Sequence, residues 1–275
     1  MTFPPQSPAP RLRPCAPPQI IAETEFFALI DKPALMAAHP SKPGDGQTLW
    51  HWLQHILAYE CATGGQISLI NRLDRETSGL TLVAKTRGAA RSLCRQMEAH
   101  QIRKTYLAVV HGWPSLDAWE VDAPLCRKGS VAQSAIWLKQ TVHPTGSPAL
   151  TVFRVMGRFE REISGQLQAF ALLEARPITG RMHQIRVHLA HSGHPIVGDK
   201  IYGADETCYL DFIETGWTTD LEQRLLLPRH ALHAHALTLL ESQQSWSSPL
   251  PGDLGRFLPL SFPYRTEALT PPLTT

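Results

Sequence analysis

The apolar residues of this chain come in short bursts, several with a period of two, and proline or glycine closes most of them. That punctuation favours a sheet-rich fold over a bundle of long helices. IIAETEFFALIDKP reads as one or two strands stopped by Pro33, GLTLVAK as a short strand, TYLAVVHGW as a strand ending in Gly-Trp-Pro, and ALHAHALTLL as an alternating strand. Residues 134–138, 149–155 and 167–175 read as further strands joined by loops containing Gly, Pro or Ser.

Three stretches carry the helical period instead. TLWHWLQHILA places Leu49, Trp50, Leu53, Ile56 and Leu57 at helical spacing, with Thr48 as its N-cap. AARSLCRQMEAH turns Ala89, Leu93 and Met97 inward and its arginines outward. RMHQIRVHLAHSG puts Met182, Ile185 and Leu189 on one face and stops at Gly193, so Arg181 and Arg186 are both expected on that helix, following Thr179-Gly180. HPSKPGDGQ reads as a loop and HPIVGDKIYG as a glycine-rich turn region. Strands and helices do not alternate regularly, and no segment repeats. The expected fold class is therefore α+β, with a mixed, mostly antiparallel sheet and flanking helices.

Seven prolines crowd the first 19 residues, which are expected to form a disordered leader, followed by a single domain over 20–265 and a flexible tail over 266–275. No apolar run approaches the roughly 18 residues that span a bilayer, and the leader has no apolar stretch to serve as a secretory signal. Hydrophobic residues at 43% and charged residues at 18% suit a folded soluble chain. The five cysteines are scattered without a Cys-x-x-Cys pair, so neither a disulfide framework nor a zinc ribbon is indicated, and a reduced cytoplasm is the expected compartment.

A net charge of +2 says little about partners, but its distribution says more. Residues 72–104 hold eight Lys or Arg against three Asp or Glu, whereas residues 204–267 hold nine acids against four bases. Such polarity suits one basic face presented to a polyanion, although Arg87, Arg91 and Arg95 would equally form an ordinary solvated helix face.

Four stretches can carry chemistry. In INRLDRETSGLTLVAK, Asp74 lies between Arg72 and Arg75. A carboxylate paired with arginine has its pKa lowered by about 1–3 units, which suits a nucleophile or weak base and not a general acid. Asp before Ser and Gly is also common turn chemistry. In RPITGRMHQIRVHLAHSGHPIVGDKIYG, Arg181 and Arg186 can clamp a phosphate, and Arg186 can alternatively reach Asp74. Lys104 and Tyr106 share one strand face, where a tyrosine beside a cation can stack on a nucleobase, a contact worth about 1–3 kcal/mol. The histidines lack metal-ligand spacing: His183 and His188 are five apart, and no His-Glu-x-x-His occurs, so no metal is expected. Walker, Gly-x-Gly-x-x-Gly and Gly-x-Ser-x-Gly signatures are missing too.

Taken in order, INRLDRETSGLTLVAKT, RKTYLAVVHG, TGRMHQIRVHLAHSGHPIVGDKIYG and ALHAHAL resemble the motif set of the RluA family of RNA pseudouridine synthases, over roughly residues 20 to 260. The resemblance implies the pseudouridine synthase catalytic fold, a structured ribosomal or transfer RNA as substrate and no cofactor; no membrane partner is expected from the short apolar runs, and a monomer is the default expectation. The resemblance assigns Asp74 to the family's essential aspartate, Arg186 to the residue pairing with that carboxylate, and Tyr106 to the tyrosine stacking on the target base. Arg72 would enter the RNA near that base, and Lys104, Arg181 and His183 complete the expected RNA contacts. Arg75 receives no role. Asn71 stands where many members have His, and Met182 where Thr is usual. A start near residue 20 leaves no room for the accessory RNA-binding domain many relatives carry in front.

The implied reaction breaks the N1–C1′ bond of a flipped-out uridine and rebuilds it as C5–C1′. The carboxylate can attack C6 or C1′, or assist elimination at C2′. A non-catalytic RNA-binding module retaining the fold is the alternative from another class, and a generic phosphodiesterase is a third, disfavoured by the histidine spacing.

Overall fold

The structure, a computed structural model, describes Leu12, Pro14 and residues 16–40, 47–203 and 205–262. Most of the proline-rich leader, the middle of the HPSKPGDGQ loop and the tail over 266–275 lie outside the described residues.

The strands are β1 (Gln19–Glu23), β2 (Phe27–Lys32), β3 (Ser68–Leu69), β4 (Ser78–Ala84), β5 (Ile102–His111), β6 (Ala118–Asp122), β7 (Leu125–Arg127), β8 (Gln140–Val142), β9 (Leu150–Ile163), β10 (Gln166–Pro177), β11 (Leu232–Leu239) and β12 (Gln244–Ser247). The helices are α1 (Leu49–Ile56), α2 (Ala58–Ala62), α3 (Arg87–Glu98), α4 (Gln184–His191), α5 (Thr207–Thr215), α6 (Thr219–Leu225) and α7 (Gly252–Phe257). Among the described residues no helix is long and apolar enough to cross a membrane.

Ten strands form one sheet in the order β1-β2-β4-β11-β5-β10-β9-β6, with β3 beside β4 and β12 beside β11, while β7 and β8 form a small separate hairpin. Every pairing is antiparallel except that of β4 with β11. The fold is thus α+β with a mixed, mostly antiparallel sheet.

The parallel pair is where the chain's two distant halves meet, and Gly79 allows it. Its φ of +108° is a conformation that L side chains rarely adopt, and a Cβ there would collide with the Ala234 carbonyl. The close approach sets the residues just before β4 against those just before β11.

The two sides of the sheet are covered differently. Leu80 and Leu82 of β4, Ile102 of β5 and Leu237 of β11 pack against Leu93 of α3. Ala28, Ile30 and Val83, on the opposite side, pack against Leu49 and Leu53 of α1. Because alternate residues share a strand face, Ile102, Lys104 and Tyr106 all lie on the side that carries α3.

Local chemistry explains the helix starts. Thr48 caps α1, with its hydroxyl accepting from the His51 N–H at 3.4 Å, and Thr86 caps α3, accepting from the Ala89 N–H at 3.1 Å.

Two sequence expectations fail. Residues 134–138 form no strand: the Ser134 hydroxyl folds back, accepting from the Ile136 N–H at 3.3 Å and donating to the Ile136 carbonyl at 3.1 Å, which closes a turn. The helix carrying Arg186 begins only at Gln184, after His183 in a left-handed conformation with φ +57°. Arg181 and Met182 therefore precede the helix, and Met182 is 51% exposed instead of lying on a buried face.

Candidate active site

Asp74 sits on a tight turn that leads into β4, closed by a hydrogen bond from the Thr77 N–H to the Asp74 carbonyl at 3.2 Å. Almost every neighbour ties this turn to the body of the protein. Asn71 accepts from the Leu82 N–H at 2.8 Å and donates to the Leu80 carbonyl at 3.2 Å, so it anchors the segment to β4. Thr77 meets the His230 imidazole at 2.7 Å, and Glu76 meets the Lys200 ammonium at 2.7 Å. Lys32, wholly buried, donates to the Met36 carbonyl at 2.9 Å and to the Arg75 carbonyl at 3.4 Å. Arg75 itself turns away from the aspartate and donates to the carbonyls of Leu35 and Leu12. Its sequence neighbour therefore plays no part in Asp74's electrostatics as an ion-pair partner.

That partner is Arg186, 112 positions away, whose Nη1 donates to Asp74 Oδ2 at 2.9 Å. Arg186 is held from behind by Asp199, which accepts from Nε at 2.7 Å and from Nη2 at 2.8 Å. The same Asp199 Oδ1 accepts from the backbone N–H groups of Ile201 and Tyr202 at 3.0 and 3.1 Å. Asp199 thus fixes the guanidinium plane through two parallel bonds and leaves the third donor edge aimed at Asp74. The Arg186 guanidinium also lies 5.0 Å from the centre of the Tyr202 ring.

The electrostatics follow from this geometry. Burial by itself pushes the Asp74 carboxyl up, but Arg186 foremost outweighs it and holds the group below the usual carboxylate range. Burial likewise opposes ionisation of Asp199, and the contact with Arg186 again prevails, so Asp199 is ionised. Arg186, between two carboxylates, is held permanently charged despite its burial. His183 is pushed down to about 4, first by burial and then by Arg186, so it is neutral at neutral pH. Its Nδ1 meets the Tyr202 hydroxyl at 2.8 Å, and that oxygen already accepts from the Gln140 N–H at 2.8 Å. His183 Nε2 lies on the Asp74 side, 3.9 Å from Oδ2 and beyond hydrogen-bond range.

Asp74 lies in a cleft of about 670 Å³. The floor carries Lys104 and Tyr106 from β5, and one wall is the segment from Pro177 to Arg186. Tyr106 is 8% exposed, and burial together with the Asp74 carboxylate pushes its phenol up, so it stays protonated. Burial lowers the Lys104 ammonium. Gln184 braces the Pro177–Arg186 wall: it accepts from the Arg181 N–H at 2.9 Å and donates to the Leu150 carbonyl at 3.0 Å. Arg72 and Arg181 stand exposed at the rim, and Arg181 Nε donates to the Pro148 carbonyl at 3.0 Å. All seven residues singled out from the sequence, Asp74, Arg186, Tyr106, Arg72, Lys104, Arg181 and His183, line this one cleft.

The arrangement presents an ionised, partly exposed carboxylate beside a flat aromatic ring in a cleft whose rim is basic. Such a group can act as a nucleophile or a weak base on a polyanionic substrate. Sequence reasoning missed Asp199. The available signal was the unexplained acid in HPIVGDKIYG, directly after Gly198, whose φ of +78° and close approach to the Arg229 carbonyl favour glycine. Three of the other histidines serve the framework: His188 bonds Thr151 at 2.9 Å, and His233 and His235 both donate to the Ser248 carbonyl.

Comparison with known proteins gives the family and the fold. Residues 27–191 match a family model described as RNA pseudouridylate synthase. A ribosomal large subunit pseudouridine synthase D from Nitrosomonas europaea is 36% identical over 250 residues, covering 88% of this chain and 64% of that protein. A protein of the same description from Pseudomonas aeruginosa is 35% identical over 241 residues, covering 86% of this chain and 69% of that one. The chain thus spans 64% of the length of the first of these relatives. Human RNA pseudouridylate synthase domain containing 4 shares the fold, with a TM-score of 0.65 at 24% identity, over 86% of this chain and 89% of that one. With more than half of its length matched by the family model, and a relative above 30% identity that it covers by more than two thirds, the chain belongs to the RluA family of RNA pseudouridine synthases.

Proposed function

We propose that this chain isomerises uridine to pseudouridine in structured RNA, with Asp74 as the reactive carboxylate. The carrying observation is the Asp74–Arg186–Asp199 chain of contacts, 2.9 Å on one side and 2.7 and 2.8 Å on the other. Attack at C6, attack at C1′ and assisted elimination at C2′ all require an ionised carboxylate, and this chain of contacts supplies one without a metal. Arg186 is a positioning residue towards Asp74, as well as its counter-charge.

The uridine must leave its stack to reach Asp74, at a cost of a few kcal/mol, less in a loop than in a helix. Tyr106, on the cleft floor, is proposed to stack on the extruded base and recover about 1–3 kcal/mol. Arg72, exposed at the rim, is proposed to enter the space the base vacates. Lys104, Arg181 and His183 are proposed to contact the flanking RNA. A neutral His183 would read RNA by hydrogen bonding and not by charge. The names of the relatives favour ribosomal RNA of the large subunit as substrate, with transfer RNA as the other candidate.

The test is pseudouridine mapping of total RNA from cells with and without the gene. Loss of one or a few pseudouridines, restored by the wild-type chain, is the expected result. An unchanged map, together with no conversion of those RNAs by the purified protein, would overturn the proposal.

A further inference from the structure

Beyond the cleft, the arginines of α3 have no structural employment. Arg87, Arg91 and Arg95 are exposed, and each lacks a partner among the described residues. Several other surface and buried arginines are committed: Arg224 to Asp205, Asp211 and Asp220, Arg154 and Arg176 to Glu174, and Arg229 to Asp253. The helix contains one acid, Glu98, and none in its first turn, where Arg87 instead opposes the positive end of the helix dipole. Like charges four residues apart also repel along the helix. For folding alone, this surface is unfavourable.

Its placement is specific. The inward side chains of α3, Ala89, Ala90, Leu93 and Met97, pack on the sheet side that carries Ile102, Lys104 and Tyr106. Met97, in the last turn, also lines the Asp74 cleft. The helix therefore runs up to the cleft edge, with its arginine face turned away from the sheet. Successive arginines rise about 6 Å along the axis, comparable to the step between neighbouring phosphates of an extended single strand. Arg72, unpartnered at the rim, extends the same positive surface into the cleft.

From these observations, and resting on the reading of the chain as an enzyme acting on RNA, we infer that Arg87, Arg91 and Arg95 form a phosphate track. It holds the RNA backbone flanking the target uridine and guides it to the cleft edge at Met97. Recognition there is by charge, not by base identity.

The test compares wild type with the triple variant Arg87→Gln, Arg91→Gln, Arg95→Gln and with the corresponding triple lysine variant. Binding of a fluorescein-labelled stem-loop RNA with a single-stranded flank is measured by anisotropy across a salt series. Each lost single-strand phosphate contact lowers the slope of log affinity against log salt by about 0.7, so loss of three lowers it by about 2. The glutamine variant is expected to show that fall, and the lysine variant to keep most of the wild-type slope. Circular dichroism of both variants reports whether α3 is intact. A glutamine variant with intact helix and unchanged slope overturns the track. Absence of pseudouridine from wild-type reactions would instead overturn the proposed activity, while the binding slopes would still decide the track.

Discussion

Asp199→Asn separates the positioning of Arg186 from its charge. The Asp199 carboxylate is buried to 1% exposure and takes four hydrogen bonds, two from Arg186 and two from backbone N–H groups. Asparagine keeps one oxygen for the backbone donors and for Arg186 Nη2, but turns an NH₂ towards Arg186 Nε, where one N–H donor then faces another. Breaking a buried ion pair on one side costs about 3–5 kcal/mol. At roughly 2–4 °C per kcal/mol for a chain near this size, the melting temperature should fall by about 6–20 °C. The guanidinium loses its fixed plane, and a misplacement of about 1 Å in a reacting constellation costs on the order of 100-fold in rate. Removing a negative charge also leaves Arg186 to Asp74 alone, so the aspartate should be no harder to ionise than before. The expected result is a kcat lowered on the order of 100-fold at a temperature where the variant is folded, with no rise in the acid limb of the pH profile. The assay is single-turnover pseudouridine formation across pH, alongside calorimetry. A variant as stable and as fast as wild type would refute the positioning argument. An acid limb shifted upward would show that Asp199 helps, instead of opposes, ionisation of Asp74.

Other outcomes follow from the same geometry. Tyr106→Ala should weaken RNA turnover by the loss of a stacking contact of about 1–3 kcal/mol, or about 5- to 150-fold in kcat/KM, whereas Tyr106→Phe keeps the ring and should lose far less; equal losses would place the function in the hydroxyl. The folded-state values of Asp74 and Asp199 are depressed, so the stability they contribute is complete above about pH 4 and lost as pH falls through those values. His183 and His233, pushed down to about 4 and about 3, are neutral when folded and take up protons on unfolding, so stability should already decline as pH drops below about 6.5. For the same reason turnover should show no histidine ionisation between about pH 6 and 8, and an inflection near 6.5 would mean that His183 works in its protonated form.

Most elements with a strong period were readable in the sequence. Thr48 followed by Leu49, Leu53 and Leu57 gives α1 its cap and its buried face, and Ala89, Leu93 and Met97 give α3 its inward face, although its cap, Thr86, appeared only in the structure. What escaped depends on tertiary contacts or on short signals. The helices α5, α6 and α7 have six to nine residues each, and only α6 carries a side-chain cap, Thr218 to the Leu221 N–H at 3.2 Å. The register before Gln184 is decided by Gln184 reaching Leu150 and Thr151 on β9, a contact no local pattern contains. In the site, residue types and motif order were legible, but their division of labour was not. Arg75 beside Asp74 bonds carbonyls, Arg186 far along the chain pairs with it, and Asp199 behind Arg186 becomes visible only when the fold brings the three together.

The central claim is that Asp74 is the reacting group and not a turn residue or an RNA contact. Asp74→Asn keeps the size of the side chain and the turn, and removes the ionised oxygen facing Arg186. Purified variant and wild type should be compared for RNA affinity and for pseudouridine formed per enzyme on the same RNA. The expected result is affinity close to wild type with no pseudouridine after prolonged incubation. Detectable turnover by the variant would contradict the account.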